Sequence, residues 1–246
     1  MREMIKFGLN PVKQSSPKGF VGYLKVSQLC PTQSAVGKDE TNCKIKKMAK
    51  KSRLELKDYL TTRPVPVIIG NGGKFYMIDH HHLTYSLWNM GKDKNNKSEL
   101  SSQDTTVVVE VQANWTHLTG YFFWKAMNKN HWAFFFNPDG GGPIQPDKLP
   151  TKIEDLANDP YRSLAWYVRN NFGYFKDPNN AIFAEFKWGV FFRDKVQLGN
   201  NVLKGKKKIE QIMIEDLNPD NKKEVIDYAL ALARSPAASE LPGYQG

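Results

Sequence analysis

The chain has 246 residues, with 35 Lys and Arg against 25 Asp and Glu, and a formal net charge of +10. Hydrophobic residues make up 40% and aromatic residues 12%, which indicates a packed globular core and excludes a disordered chain. No apolar run approaches the roughly 20 residues needed to cross a bilayer, and Met1 to Lys6 lacks the apolar centre of a signal peptide.

Residues 1–19 carry Pro and Ser and read as an arm. Phe20 to Val26 reads as a strand, and Pro31 to Gly37 as a loop. Glu40 to Leu60 reads as a helix, with Ile45, Met48, Leu54, Leu56 and Leu60 forming an imperfect apolar stripe among lysines. Val65 to Ile69 and Phe75 to Ile78 are short strands around the turn Asn71-Gly72-Gly73. Leu83, Leu87 and Trp88 then recur at helical spacing, so a helix is predicted over 80–90, with Asp79 as its N-cap and Gly91 as its terminator. Thr105 to Ala113 alternates Val107, Val109 and Val111 with polar residues and reads as a strand.

The remainder is helical and aromatic. Helices are predicted over 118–127, 160–170, 185–198 and 225–234. Asp159 is the expected N-cap of the second of these, with Pro160 at its first position. The expected class is α+β. A small mixed sheet with helices spans residues 20–113, and a mostly helical portion over 114–246 shares its core, because Phe122, Phe123, Trp124, Trp166, Trp188 and Phe191 would otherwise expose large apolar patches.

The chemistry concentrates in Asp79-His80-His81-His82. A strand end followed by a helix start leaves backbone N–H groups without partners at the positive end of the helix dipole, where anions bind. Three successive histidines point in different directions, so at most two could face one ion. No metal site is assigned, although His117 or His131 could supply a third ligand. A structural reading, with the rings hydrogen-bonded near the strand end, stands beside the anion or acid–base reading.

The positive charge is concentrated too. Lys44, Lys46, Lys47, Lys50, Lys51, Arg53 and Lys57 face Glu55 alone, and Lys204, Lys206, Lys207 and Lys208 form a second run. Such runs suit nucleic acid, anionic lipid or polyphosphate. They also suit a solvated helix face, which the scarcity of interleaved aromatics favours. Arg162 in a first helical turn is unusual, since helix starts prefer acids. It expects a partner: Glu185, another internal carboxylate, or a ligand anion. Glu40 reads as a cap or salt-bridge residue. Cys30 and Cys43 pair only if the chain is exported, and otherwise stand as two thiols.

Several stretches carry a resemblance. They are Leu29-Cys30-Pro31-Thr32-Gln33, Val36-Gly37 with Glu40 to Lys44, Val65 to Leu83, Asp159 to Ala165, Glu185 to Trp188, and Leu241-Pro242-Gly243-Tyr244. In this order the chain resembles the second ParB-like group, a nuclease-like family of the ParB/sulfiredoxin superfamily. The resemblance implies a ParB/sulfiredoxin-like α+β domain with a phosphate-binding turn of the type Asp-Gly-His-His-Arg. Carried onto this chain, Asp79, His81 and His82 take the catalytic positions. His80 stands where the glycine would be, and Leu83 replaces the arginine that would clamp phosphate in bidentate fashion. Gln33 stands where a serine-kinase branch of the superfamily has a catalytic Glu, and an amide is not a general base. Lys44 matches the family's lysine. The ligand-binding set expected at the turn is therefore His80, Gln33, Lys44 and Arg162.

The implied ligand is a phosphate-containing small molecule or nucleotide, with phosphoryl-transfer or hydrolase activity open, and with Mg or another divalent metal accompanying the nucleotide. The alternatives are a DNA-binding protein or nuclease and a non-catalytic binding protein. Against a nuclease, no carboxylate cluster or helix-turn-helix pattern stands out in the sequence. Relatives of this kind often carry a leader. The compartment reads as cytoplasmic for a complete chain and periplasmic or secreted for one that has lost a leader.

Overall fold

The computed structural model describes residues 5–93, 95–176, 183–196, 198 and 209–246. Its strands are β1 (Val21–Lys25), β2 (Leu29–Cys30), β3 (Ala35–Val36), β4 (Val65–Ile69), β5 (Phe75–Met77), β6 (Thr106–Asn114) and β7 (Ala157–Asn158). Its α-helices are α1 (Lys38–Met48), α2 (Arg53–Thr61), α3 (His81–Met90), α4 (Gly120–Lys129), α5 (Pro160–Asn170), α6 (Ala184–Lys195) and α7 (Pro219–Ala233). The class is α+β, as the alternation of strand and helix signals predicts.

The chain divides into two compact units. The first comprises residues 1–34, 41–135 and 143–156; the second comprises 35–40, 136–142 and 157–246. This differs from the boundary expected near residue 113, which falls inside β6. Helix α4 and the segment 143–156 belong to the first unit, and the short piece 35–40 belongs to the second.

The first unit is built on a five-stranded sheet of order β1-β6-β4-β5-β2. Strand β1 runs antiparallel to β6, β6 parallel to β4, β4 antiparallel to β5, and β5 parallel to β2. Central β4 is apolar along its length, and Val65, Val67, Ile68 and Ile69 are all buried. Both faces of the sheet are covered, and the period of two shows how. Met77 meets the Thr84 hydroxyl of α3. Tyr76 and Ile78 instead join the cluster of Ile68, Phe123, Met127 and Ala133 around α4. Trp115, Trp124, Trp132 and Phe135 pack against that cluster.

The single helix expected over 40–60 is two helices. Ser52 is the reason: its hydroxyl accepts from the Glu55 N–H and the Glu55 carboxylate accepts from the Ser52 N–H. This reciprocal capping box starts a fresh helix.

The second unit holds the two-stranded parallel pair β3 and β7, with α5, α6 and α7. Its core is aromatic. The Tyr174 and Trp188 rings stack with centroids 4.2 Å apart, and Phe192 packs on Trp188. The buried polar atoms of these rings are satisfied: Tyr174 donates to the Ala165 carbonyl and the Trp188 indole to the Pro242 carbonyl. The Glu185 to Trp188 and Leu241 to Tyr244 stretches are thus partly joined through Trp188. The second lysine run, 204–208, lies outside the described residues.

Candidate functional site

The turn from β5 into α3 forms as expected, one residue later. His80 is the N-cap, and Asp79 precedes it rather than capping the helix. The Asp79 carboxylate accepts from the His80 N–H at 2.6 Å. His80 lies in the left-handed region at φ 64. That is the conformation for which the resembled motif has glycine, and a residue with a Cβ adopts it at a cost of about 1 kcal/mol. Asp79 is exposed, and His80 and His82 are partly exposed.

His81 is different. It is 3% exposed, and its Nε2 lies 3.1 Å from the Thr32 backbone N–H. The Thr32 hydroxyl donates to the Met77 carbonyl at 2.8 Å, which leaves the backbone amide as the donor to the ring. The Thr32 carbonyl in turn accepts from the Phe134 N–H. An accepting Nε2 places the ring's proton on Nδ1. Burial lowers the His81 pKa to about 3, helped by His80 and opposed by Asp79. Burial therefore favours the neutral ring, and through Nε2 it holds Thr32 against the turn. The loop Pro31-Thr32-Gln33 is brought to the turn as the resemblance implies, but through Thr32, which sequence reasoning passed over in favour of Gln33. Gln33 is buried beside it. Lys44 is half-buried on α1.

A second constellation sits in the second unit. Helix α5 begins as predicted: the Asp159 carboxylate accepts from the Tyr161 and Arg162 N–H groups, and Pro160 stands at the first helical position. Arg162, 4% exposed, places Nη2 3.0 Å from the Glu40 carboxylate and 3.7 Å from that of Glu185. Glu185 also pairs with Arg169. Arg193 meets Asp159 at 2.9 Å and lies over the Tyr161 ring. Asp39 accepts from the Glu215 N–H at 2.6 Å and from the Ile214 N–H. Its carboxyl is pushed up by burial and partly drawn back by these bonds. Gly37 permits its own backbone to approach α5, since a Cβ there would lie 2.9 Å from the Ser163 nitrogen. The internal-carboxylate reading accounts for Arg162, with Glu40 as the nearer partner and Glu185 as the second. Its Nε and Nη1 have no acceptor among the described residues.

Among the described residues no group of three or more His, Cys, Asp or Glu side chains is placed to hold a metal ion. Cys30 and Cys43 are both free. No described helix is long and apolar enough to cross a membrane.

A family model described as "Putative ParB-like nuclease" matches residues 23–194, which is well over half of the chain. The chain belongs to this ParB-like family. Among solved structures, the crystal structure of protein Atu1540 from Agrobacterium tumefaciens is similar at 29% identity and a TM-score of 0.72. The match covers 93% of this chain and 98% of that one. No match was found among curated proteins. The residues matched by the ParB-like model include the Asp79–His82 turn, Thr32, Glu40 and Arg162.

Two outcomes follow from this geometry. The unfolded chain takes a proton on His81 near pH 6.5, the fold only near 3. Between these values the unfolded state binds more protons. The stability His81 contributes is therefore whole above pH 6.5 and declines on acidification, by up to about 1.4 kcal/mol per pH unit. His81→Gln keeps an acceptor and cannot titrate. Denaturant unfolding from pH 7 to pH 4 should show wild type losing stability faster than this variant, and parallel curves would contradict the assignment. In the second unit, Arg162→Met leaves the Glu40 carboxylate buried without its nearest cation. It should cost about 3–5 kcal/mol, with part recovered on adding Glu40→Gln. A loss below about 1 kcal/mol, the range of an exposed pair, would show that the pair is not desolvated.

Proposed function

We propose that this ParB-like chain binds a phosphate-bearing ligand, in the first instance a nucleotide, at the Asp79–His82 turn. The observation that carries the reading is the left-handed His80 at the start of α3. Strain held at a non-glycine residue points to a backbone shape that is needed for itself. That shape starts a ten-residue helix, whose first-turn N–H groups and dipole suit an anion. The two partly exposed rings, His80 and His82, flank it and provide polar contacts.

The roles divide by burial. His81 holds the loop of residues 31–33 against the turn. Asp79 fixes the entry through the His80 N–H. His82, partly exposed in the first turn of α3, is the candidate to donate to a phosphate oxygen, or to move a proton in hydrolysis or phosphoryl transfer. Gln33 and Lys44 remain the further candidates for ligand contact. Arg162 is left out, because its guanidinium already meets Glu40 and Glu185. A phosphodiester is the second reading, favoured by the nuclease description of the family and by the net charge of +10.

The test is a titration of adenosine monophosphate and inorganic phosphate into isotope-labelled protein. Both should shift the amides of His81, His82 and Leu83 and the ring of His82. His82→Ala should weaken phosphate binding by roughly 10- to 150-fold, as for one charge-assisted hydrogen bond. Shifts confined to other parts of the chain, or equal affinity for the variant, would remove the turn as the site.

A further inference from the structure

A groove of about 740 Å³ opens in the first unit, on the α4 side of the sheet. Its size falls in the range of small-molecule sites. Tyr76, Tyr121, Trp124 and Phe135 line it, together with Lys74 and Lys125. The loop of residues 143–151 forms the opposite wall. We propose that this groove is a binding site for a nucleobase that carries a phosphate, separate from the turn at Asp79–His82.

The aromatic wall is rigid. Trp124 is wedged by Tyr76, Phe123 and Phe135, with ring centroids 5.3, 5.0 and 5.8 Å away and all three crossings edge-on. Its orientation is therefore set before any ligand arrives, so little side-chain entropy is lost on stacking. Tyr121 stands 71% exposed one helical turn away, against the edge of Phe122. A large exposed aromatic on a rigid helix beside a groove asks for a cover. A planar base fits, because every base presents a π-face to an aromatic ring.

The charges select an anion. Lys74 and Lys125 are exposed, and neither is in an ion pair among the described residues. The Lys125 ammonium lies 5.9 Å from the Tyr121 ring centre, at the edge of the stacking surface. The one carboxylate on the lining, Asp147, has the Lys148 ammonium 3.6 Å away. Two lysines beside an aromatic wall fit one planar group with a phosphate attached. An uncharged apolar ligand would leave both ammonium groups without a counterpart.

The phosphate-bearing base could be a free nucleotide or part of a single strand, and the same experiment separates them. Adenosine monophosphate and an eight-residue oligothymidylate are titrated into labelled protein. The indole N–H of Trp124 and the amides of Tyr121 and Lys125 report the groove. Either ligand shifting these signals supports the site, and which one does so identifies the source. Lys74→Glu with Lys125→Glu changes two exposed residues and should weaken groove binding at least tenfold. Tyr121→Ala should weaken it as well. His82→Ala should leave the groove signals and their midpoint unchanged, which distinguishes failure here from failure of the turn. Groove signals unmoved by both ligands, or an unchanged midpoint in the double-lysine variant, would overturn the proposal.

Discussion

A backbone amide bound to a buried imidazole ties the first unit together at the start of α3. Thr32 and His81 are 49 residues apart in sequence, one on the loop after edge strand β2 and the other in the first turn of α3. Thr32 uses all of its polar groups: the amide on His81, the hydroxyl on Met77 and the carbonyl on Phe134. Losing the ring would leave a buried N–H unsatisfied, a cost of about 1–3 kcal/mol. The same bond fixes the tautomer of His81, with its proton on Nδ1. Three consecutive histidines thus stand in three settings: one N-cap held left-handed, one buried acceptor, and one partly exposed ring.

The second unit rests on a different constraint, the burial of charge. Glu40, Arg162, Glu185, Arg169, Asp159 and Arg193 form pairs around the starts of α5 and α6. Buried pairs seldom add net stability over apolar packing, but they are costly to break singly. The arrangement therefore specifies geometry more than it adds stability. Gly37 keeps the backbone close enough for it, since a Cβ there would crowd the start of α5.

Much of this was legible in the sequence. The valine-rich and isoleucine-rich runs marked β4 and β6, Asp159-Pro160 marked the start of α5, and the motif order identified the family. The turn at residues 79–82 was found in the right place. What failed has several causes. Ser52 and Glu55 split one expected helix because a local cap outweighed an imperfect apolar stripe. The two-residue strands β3 and β7 have no periodicity to read. The burial of His81 depends on Thr32, and nothing in a row of three histidines says which one turns inward. Glu40 reads as a cap or salt-bridge residue, and only the fold names Arg162 as its partner. The groove beside α4 was invisible because its wall comes from residues 143–151, a segment without an element signal.

The hydrogen bond from the Thr32 amide to His81 Nε2 is directly measurable. A bond between two nitrogens transmits scalar coupling. A nitrogen-correlated experiment on deuterated, 15N-labelled protein at pH 7 should show a coupling between the Thr32 amide nitrogen and His81 Nε2. The ring should carry its proton on Nδ1, and the Thr32 amide should exchange slowly. A His81 ring protonated on Nε2, with no coupling to Thr32, would contradict the account.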